Sequence, residues 1–184
     1  MKTLIAYATN QGTTEKVALK IAEGLEGETT LVNLKKDKNP AFAEFDRIVI
    51  GGSIHAGGIQ KEVKEFATKN LSSLLTKKTG LFICCMEEEN PEKYLEQFFP
   101  AELRDAALAT VCPGGEFLFE KMNFIERAII KKMAKTDQNV SKIDNEKIKE
   151  FVAKLSWFNK PSHNVTETKI LKNIKSKVFS NKVR

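Results

Sequence analysis

A chain of 184 residues with a formal net charge of +6 is read most economically as one domain with additions, long enough to bury a core. No run of about 18 apolar residues occurs, which excludes a transmembrane helix, and the N-terminus enters the first strand at once, so no signal peptide is expected. Three cysteines, Cys84, Cys85 and Cys112, are odd in number and lie in apolar surroundings, the pattern of reduced buried thiols in a cytoplasmic protein rather than of a disulfide framework.

The first element is an apolar β-type run, Leu4 to Ala8, which breaks into Thr9-Asn10-Gln11-Gly12-Thr13-Thr14. A helical pattern follows directly, with Glu15, Val17, Ala18, Ile21, Ala22 and Leu25 at helical spacing. A strand feeding a hydroxyl-rich turn into a helix N-terminus builds an anion site, because backbone N–H groups and the positive dipole end converge there. The loop contains no Lys or Arg, so it suits a phosphate held by neutral donors. With one glycine it fits neither the nucleoside-triphosphate loop nor the dinucleotide loop.

Thr29 to Leu34 reads as a short strand and Arg47 to Gly52 as a strongly apolar one. Ser53-Ile54-His55-Ala56-Gly57-Gly58 then forms a loop of small residues with His55 as its one bulky polar member. Val63, Phe66, Ala67 and Leu71 mark a helix from about Gln60, and Gly80 to Cys85 a buried strand. Asn90-Pro91-Glu92 predicts an N-cap, a proline at the first helical position and an acid in the first turn. Ala107 to Cys112 is the fifth strand, ended by Pro113-Gly114-Gly115; the last core helix covers Asn145 to Phe158. Continuous apolar strands alternating with helices imply a parallel sheet covered on both sides. Ligands in such folds lie outside the C-terminal strand ends. That nominates four loops: Thr9–Thr14, Gly52–Gly58, Met86–Asn90 and Pro113–Glu116.

The stretch Tyr7 to Glu15 resembles the [ST]-x-T-G-x-T phosphate loop of flavodoxin-fold FMN proteins, with Gln11 replacing the middle threonine. The resemblance covers residues 1–158 and implies an α/β, doubly wound, five-stranded parallel sheet of order 2-1-3-4-5 with helices on both faces. It implies FMN as cofactor and no metal. The phosphate would fall to Thr9, Asn10, Gln11, Gly12, Thr13 and Thr14. The isoalloxazine ring would be flanked by Ser53, Ile54, His55, Ala56 and Gly57 on one side, and by Cys85, Met86, Glu87 and Glu88 on the other. Flavodoxins typically cap the ring with a Trp and a Tyr from these loops. Here Trp157 is remote and Tyr94 falls on the following helix, so a more exposed ring is expected, with His55, Ile54 and Met86 as neighbours. No residue is a clear acid or base; His55, with an ordinary pKa near ~6.5, is the candidate proton-exchanging, catalytic group.

Two departures narrow the class. Electron-carrier flavodoxins are usually strongly acidic, and they run from strand five almost directly into the last helix. This chain inserts residues 116–140, in which Met122, Ile125, Ile129 and Met133 form an apolar stripe while Arg127, Lys131, Lys132 and Lys135 lie off it. The insertion, and the run Phe45 to Ile54 with Lys61 to Phe66, are similar to the menaquinone-dependent protoporphyrinogen dehydrogenases. That similarity implies a tetrapyrrole substrate and a quinone, and contact of 122–135 with a membrane surface; a helix packed on the core is the alternative. Glu87-Glu88-Glu89 favours a lowered flavin potential and hence the other reading, an electron-transfer protein serving a redox partner. A fold without flavin, acting by protein contacts, stays open as a third.

The tail, 159–184, is basic: from Trp157 onward seven Lys/Arg face Glu167 alone, so the rest of the chain is balanced. Ile170, Leu171, Ile174 and Val178 recur there at helical spacing, which fits a surface-binding helix at an inner membrane face; a partly disordered, solvated tail is the leading alternative. Nucleic acid is not expected as a partner, since Phe179 is the tail's one stacking aromatic beyond Trp157 and Phe158.

Overall fold

Leu4, Ala6, Ile48, Ile50, Leu81 and Ile83 point to one side of a sheet, while Ile5, Tyr7, Val49, Phe82 and Cys84 point to the other; all are buried. A strand apolar on both faces must be covered twice, and the chain does so by winding helices to either side. A computed structural model describes residues 1–55, 57–86, 89–134 and 137–157. The expected helix end at Phe158 and the basic tail lie outside the described residues, as do Ala56, Glu87, Glu88 and Lys135.

In chain order the elements are β1 (Lys2–Tyr7), α1 (Thr13–Gly24), β2 (Glu28–Asn33), β3 (Arg47–His55), β4 (Gly58–Ile59), α2 (Lys61–Lys69), α3 (Leu71–Leu74) and β5 (Lys78–Cys84). There follow α4 (Lys93–Phe98), α5 (Ala101–Ala106), β6 (Ala109–Val111), β7 (Glu116–Phe117), a 3-10 turn at Phe119–Lys121, α6 (Phe124–Ala134), β8 (Val140–Ser141) and α7 (Asn145–Trp157). The parallel sheet has the order β2-β1-β3-β5-β6, which is the expected 2-1-3-4-5 when the five parallel strands are counted alone. In register, Ile5 stands beside Leu31 and Val49, and Gly51 beside Phe82. Helices α2 to α5 cover the Leu4 face and α1 with α7 cover the Ile5 face. Gly51 is required by packing: a Cβ there would stand 2.0 Å from the Phe82 ring.

Several boundaries differ from the sequence expectation. Strand β3 runs on through Ser53, Ile54 and His55 and folds back antiparallel onto β4, pairing Ile54 with Ile59 and His55 with Gly58. The expected loop is therefore a hairpin. Buried Gln60 holds it: its Oε1 accepts from the Ser53 N–H at 2.9 Å and its Nε2 donates to Ser53 Oγ at 2.8 Å. Pro91 is not at the first position of α4. The helix starts at Lys93 with Glu92 as N-cap and no side-chain cap, because Pro91 and Glu92 are used in a preceding turn whose carbonyls receive the N–H groups of Tyr94 and Leu95. The fifth strand is only three residues long.

Residues 116–141 form a unit of their own. Strands β7 and β8 pair antiparallel, Glu116 with Ser141 and Phe117 with Val140. The unit is rooted at the end of β5, where the Cys85 N–H donates to the Gly114 carbonyl at 3.1 Å and the Lys142 N–H to the Gly115 carbonyl at 2.9 Å.

Candidate functional site

Three strand ends and the 116–141 unit enclose a cavity of about 640 Å³, a size usual for small-molecule sites. Its floor is the turn from β1 into α1. Gly12 caps α1 with φ 99°, a left-handed conformation that favours glycine. The Gly12 N–H donates to Thr9 Oγ1 at 2.9 Å, so the threonine hydroxyl shapes the turn. Helix geometry leaves the first-turn N–H groups of α1 without carbonyl partners, and Thr14 Oγ1 is buried with no conventional hydrogen-bond partner. Glu15, the first-turn acid, is drawn aside by a 2.6 Å bond from the Tyr7 hydroxyl. Donors with nothing to bind at a positive helix end fit an incoming phosphate.

The loop itself holds no cation, but two reach it from elsewhere. Lys35, just past β2, donates to Asn10 Oδ1, and Lys121 lies against Gly12. These cations arrive through tertiary structure, where the loop sequence alone offers neutral donors.

One wall is the β3–β4 hairpin, contributing Ser53, Ile54, His55 and Gly57; another is the end of β5 with Cys84, Cys85 and Met86. Thr9, Gln11 and Thr13 also line the cavity, whereas Asn10, Gly12 and Thr14 are not among the lining residues. Ala56, Glu87 and Glu88 lie outside the described residues. Further residues line the cavity that the sequence reading does not nominate. Tyr94, placed in the first turn of α4 by the later helix start, lines the cavity, and Phe117, Met122, Glu126, Ile129 and Ile130 close it from the 116–141 side.

The stripe expected along α6 is split. Met122 is buried ahead of the helix, while Phe124, Ile125 and Ile129 are 80%, 56% and 52% exposed. Among the described side chains of α6, none is buried in the core. Its start is a capping box: the Glu126 N–H donates to Asn123 Oδ1 at 2.9 Å and the Asn123 N–H to Glu126 Oε2 at 3.0 Å. The sequence Asn-x-x-Glu carries that signal; the positions of Tyr94 and Lys121 have no local one.

The titratable groups around the cavity are driven in different directions. Burial holds the half-buried His55 imidazole below the ordinary histidine range, partly opposed by Glu126 and reinforced by Lys35. Burial drives the Cys84 thiol far above its usual range, and a bond with Cys85 together with burial does the same for Cys112. All three cysteines are unbridged and buried, and neither Cys84 nor Cys112 offers a thiolate nucleophile. Burial would raise the Glu116 carboxyl, but bonds from Lys16 at 2.6 Å and Ser141 at 2.8 Å outweigh it and hold the group below the usual range. Among the described residues no cluster suited to a metal ion occurs.

The comparisons with known proteins agree with this geometry. The model of a flavodoxin domain family matches residues 4–144. The chain is 29% identical over 100 residues to the protoporphyrinogen IX dehydrogenase [quinone] of Escherichia coli K12, covering 53% of this chain and 55% of that protein; it thus spans about half the length of that relative. Among solved structures, oxidised flavodoxin 1 of Bacillus cereus aligns with a TM-score of 0.51 at 20% identity, over 88% of this chain and 100% of the other. Flavodoxin 2 of the same organism gives 0.53 at 20% identity, over 86% and 99%.

Proposed function

The chain belongs to the flavodoxin domain family, and from that premise we propose that it is an FMN-dependent oxidoreductase that oxidises a tetrapyrrole of the protoporphyrinogen type and passes the electrons to a quinone. FMN is its cofactor. Bound FMN supplies a two-electron acceptor; the protein positions it and shapes what reaches it. The first-turn N–H groups of α1 with Thr9, Thr13 and Thr14 would hold the phosphate. The hairpin at Ser53–Gly57 and the β5 end at Cys85–Met86 would flank the ring. His55, kept neutral by burial, is the group suited to accept a proton from a substrate carbon or nitrogen at neutral pH.

One observation carries the choice of an enzyme over a carrier: the 116–141 unit walls the cavity with Phe117, Met122, Ile129 and Ile130 and leaves Phe124 and Ile125 exposed beside it. A protein that only relays electrons needs no apolar antechamber. A large apolar tetrapyrrole or a quinone does, and the same exposed residues with Lys131 and Lys132 suit contact with a membrane surface. The named relative, a protoporphyrinogen IX dehydrogenase acting with quinone, supports this substrate class. Steady-state turnover tests it: FMN-loaded protein given protoporphyrinogen and a quinone under argon should produce porphyrin fluorescence above the enzyme-free rate. Turnover with a redox protein but none with porphyrinogen would assign the chain to electron transfer.

A further inference from the structure

The carboxylates nearest the phosphate loop are already engaged. Glu15 accepts from the Tyr7 hydroxyl at 2.6 Å, Glu116 accepts from Lys16 at 2.6 Å, and Glu126 accepts from the Asn123 N–H at 3.0 Å. Two nearby cations are engaged as well, Lys16 with Glu116 and Lys35 with Asn10. Lys121 is different. It ends the 3-10 turn of the 116–141 unit, and a Cβ built on Gly12 would stand 3.3 Å from its Nζ. Among the described residues no hydrogen bond or close ion pair engages that ammonium, which interacts through charge alone with its exposed neighbour Glu120.

Gly12 is the N-cap of α1, so this ammonium overhangs the end of the helix where uncommitted N–H groups gather and where buried Thr14 Oγ1 has no nitrogen or oxygen partner, only the Cys84 thiol beside it. Lys121 does not line the cavity, which sets it apart from any group meant for an apolar substrate. We propose that Lys121 is a cationic ligand of the cofactor's phosphate, and that this contact fastens the 116–141 unit over the cavity. A phosphate monoester carries up to two negative charges near neutral pH, and a charge-assisted bond to it is stronger than a neutral one. The 116–141 unit is otherwise tied to α1 and the loop before it by Glu116, bonded to Lys16 and Thr13, and by a long, 3.5 Å contact between Gln11 and Glu126. The phosphate would add a further tie. Cofactor occupancy then decides whether the cavity is closed.

The proposal rests on the FMN reading of the site, and riboflavin separates the two because it lacks only the phosphate. Flavin fluorescence titrations of wild type, K121Q and K121R measure both ligands. K121Q should weaken FMN about tenfold and leave riboflavin unchanged, while K121R keeps most of the FMN affinity. Equal FMN affinity in wild type and K121Q would overturn the proposal and leave the FMN reading intact. Wild type that binds neither flavin would overturn the FMN reading itself. Hydrogen exchange tests the fastening: FMN should slow exchange across 116–134 in wild type, riboflavin should not, and K121Q should lose the effect. Equal slowing by FMN and riboflavin would contradict it.

Discussion

His55 occupies the last position of β3, where hairpin pairing to Gly58 turns it toward the cavity. Its imidazole is depressed by burial, with Glu126 pulling upward and Lys35 downward. E126Q should therefore lower the His55 pKa further, and K35Q should raise it. The chain has two histidines, His55 and His163, so an NMR titration of ring protons resolves them; no change in either variant would remove this electrostatic assignment. The linkage sign follows. A histidine depressed in the folded state takes up its proton first when unfolded, so through this group stability is retained above about 6.5 and falls as pH drops below it. Gly12 makes a second test at this scale. Alanine at φ 99° incurs the left-handed cost of about 1–2 kcal/mol and pushes a methyl toward Lys121, so G12A should lower the denaturation midpoint and weaken FMN together. An unchanged midpoint would mean the turn relaxes freely.

The 116–141 unit is held to the sheet by few bonds, and Glu116 is central among them. Its carboxyl, with the side chain 3% exposed, accepts from Lys16 and Ser141. E116Q should cost about 1–2 kcal/mol near neutral pH, the range for charge-assisted bonds reduced by the exposure of Lys16. Because its folded pKa lies below 4.5, this contribution is present above that value and is lost as pH falls through the folded pKa. The gap between wild type and E116Q in urea melts should thus close on acidification; a constant gap would exclude the ion pair as its source. This unit is also where sequence reading reached least far. The central parallel strands β1, β3 and β5 were legible because strands buried on both faces appear as apolar runs, and the turn at Thr9–Thr14 because its residue types suit a helix start. Strands of two residues carry no period. An apolar stripe such as Ile125 and Ile129 does not reveal whether it meets core or solvent. Tyr94 entered the cavity through a two-residue shift in the start of α4, which Pro91 concealed by imitating a first helical position. Lys121 reached Gly12 across more than a hundred residues of sequence, with no local trace.

At the scale of the molecule, two buried faces make the sheet rigid and leave the chemistry to its C-terminal edge. Phe151 and Leu155 of α7 pack against the backbone of β5, where a Cβ on Gly80 would meet Leu155 at 2.8 Å. F151A should destabilise the fold by about 3–5 kcal/mol while FMN affinity, measured under folding conditions, stays near wild type. No helix among the described residues is long and apolar enough to cross a membrane. Among the described residues the exposed face of α6 is the surface suited to a bilayer, so replacing Phe124, Ile125 and Ile129 together by serine should reduce co-sedimentation with anionic vesicles severalfold; unchanged sedimentation would remove α6 from that role. The most direct test of the whole account is a single anaerobic mixing experiment on FMN-loaded protein. Protoporphyrinogen should bleach the oxidised-flavin absorbance within the turnover time, and a quinone added afterwards should restore it. A flavin spectrum unmoved by the porphyrinogen, yet reducible by dithionite, would contradict the account.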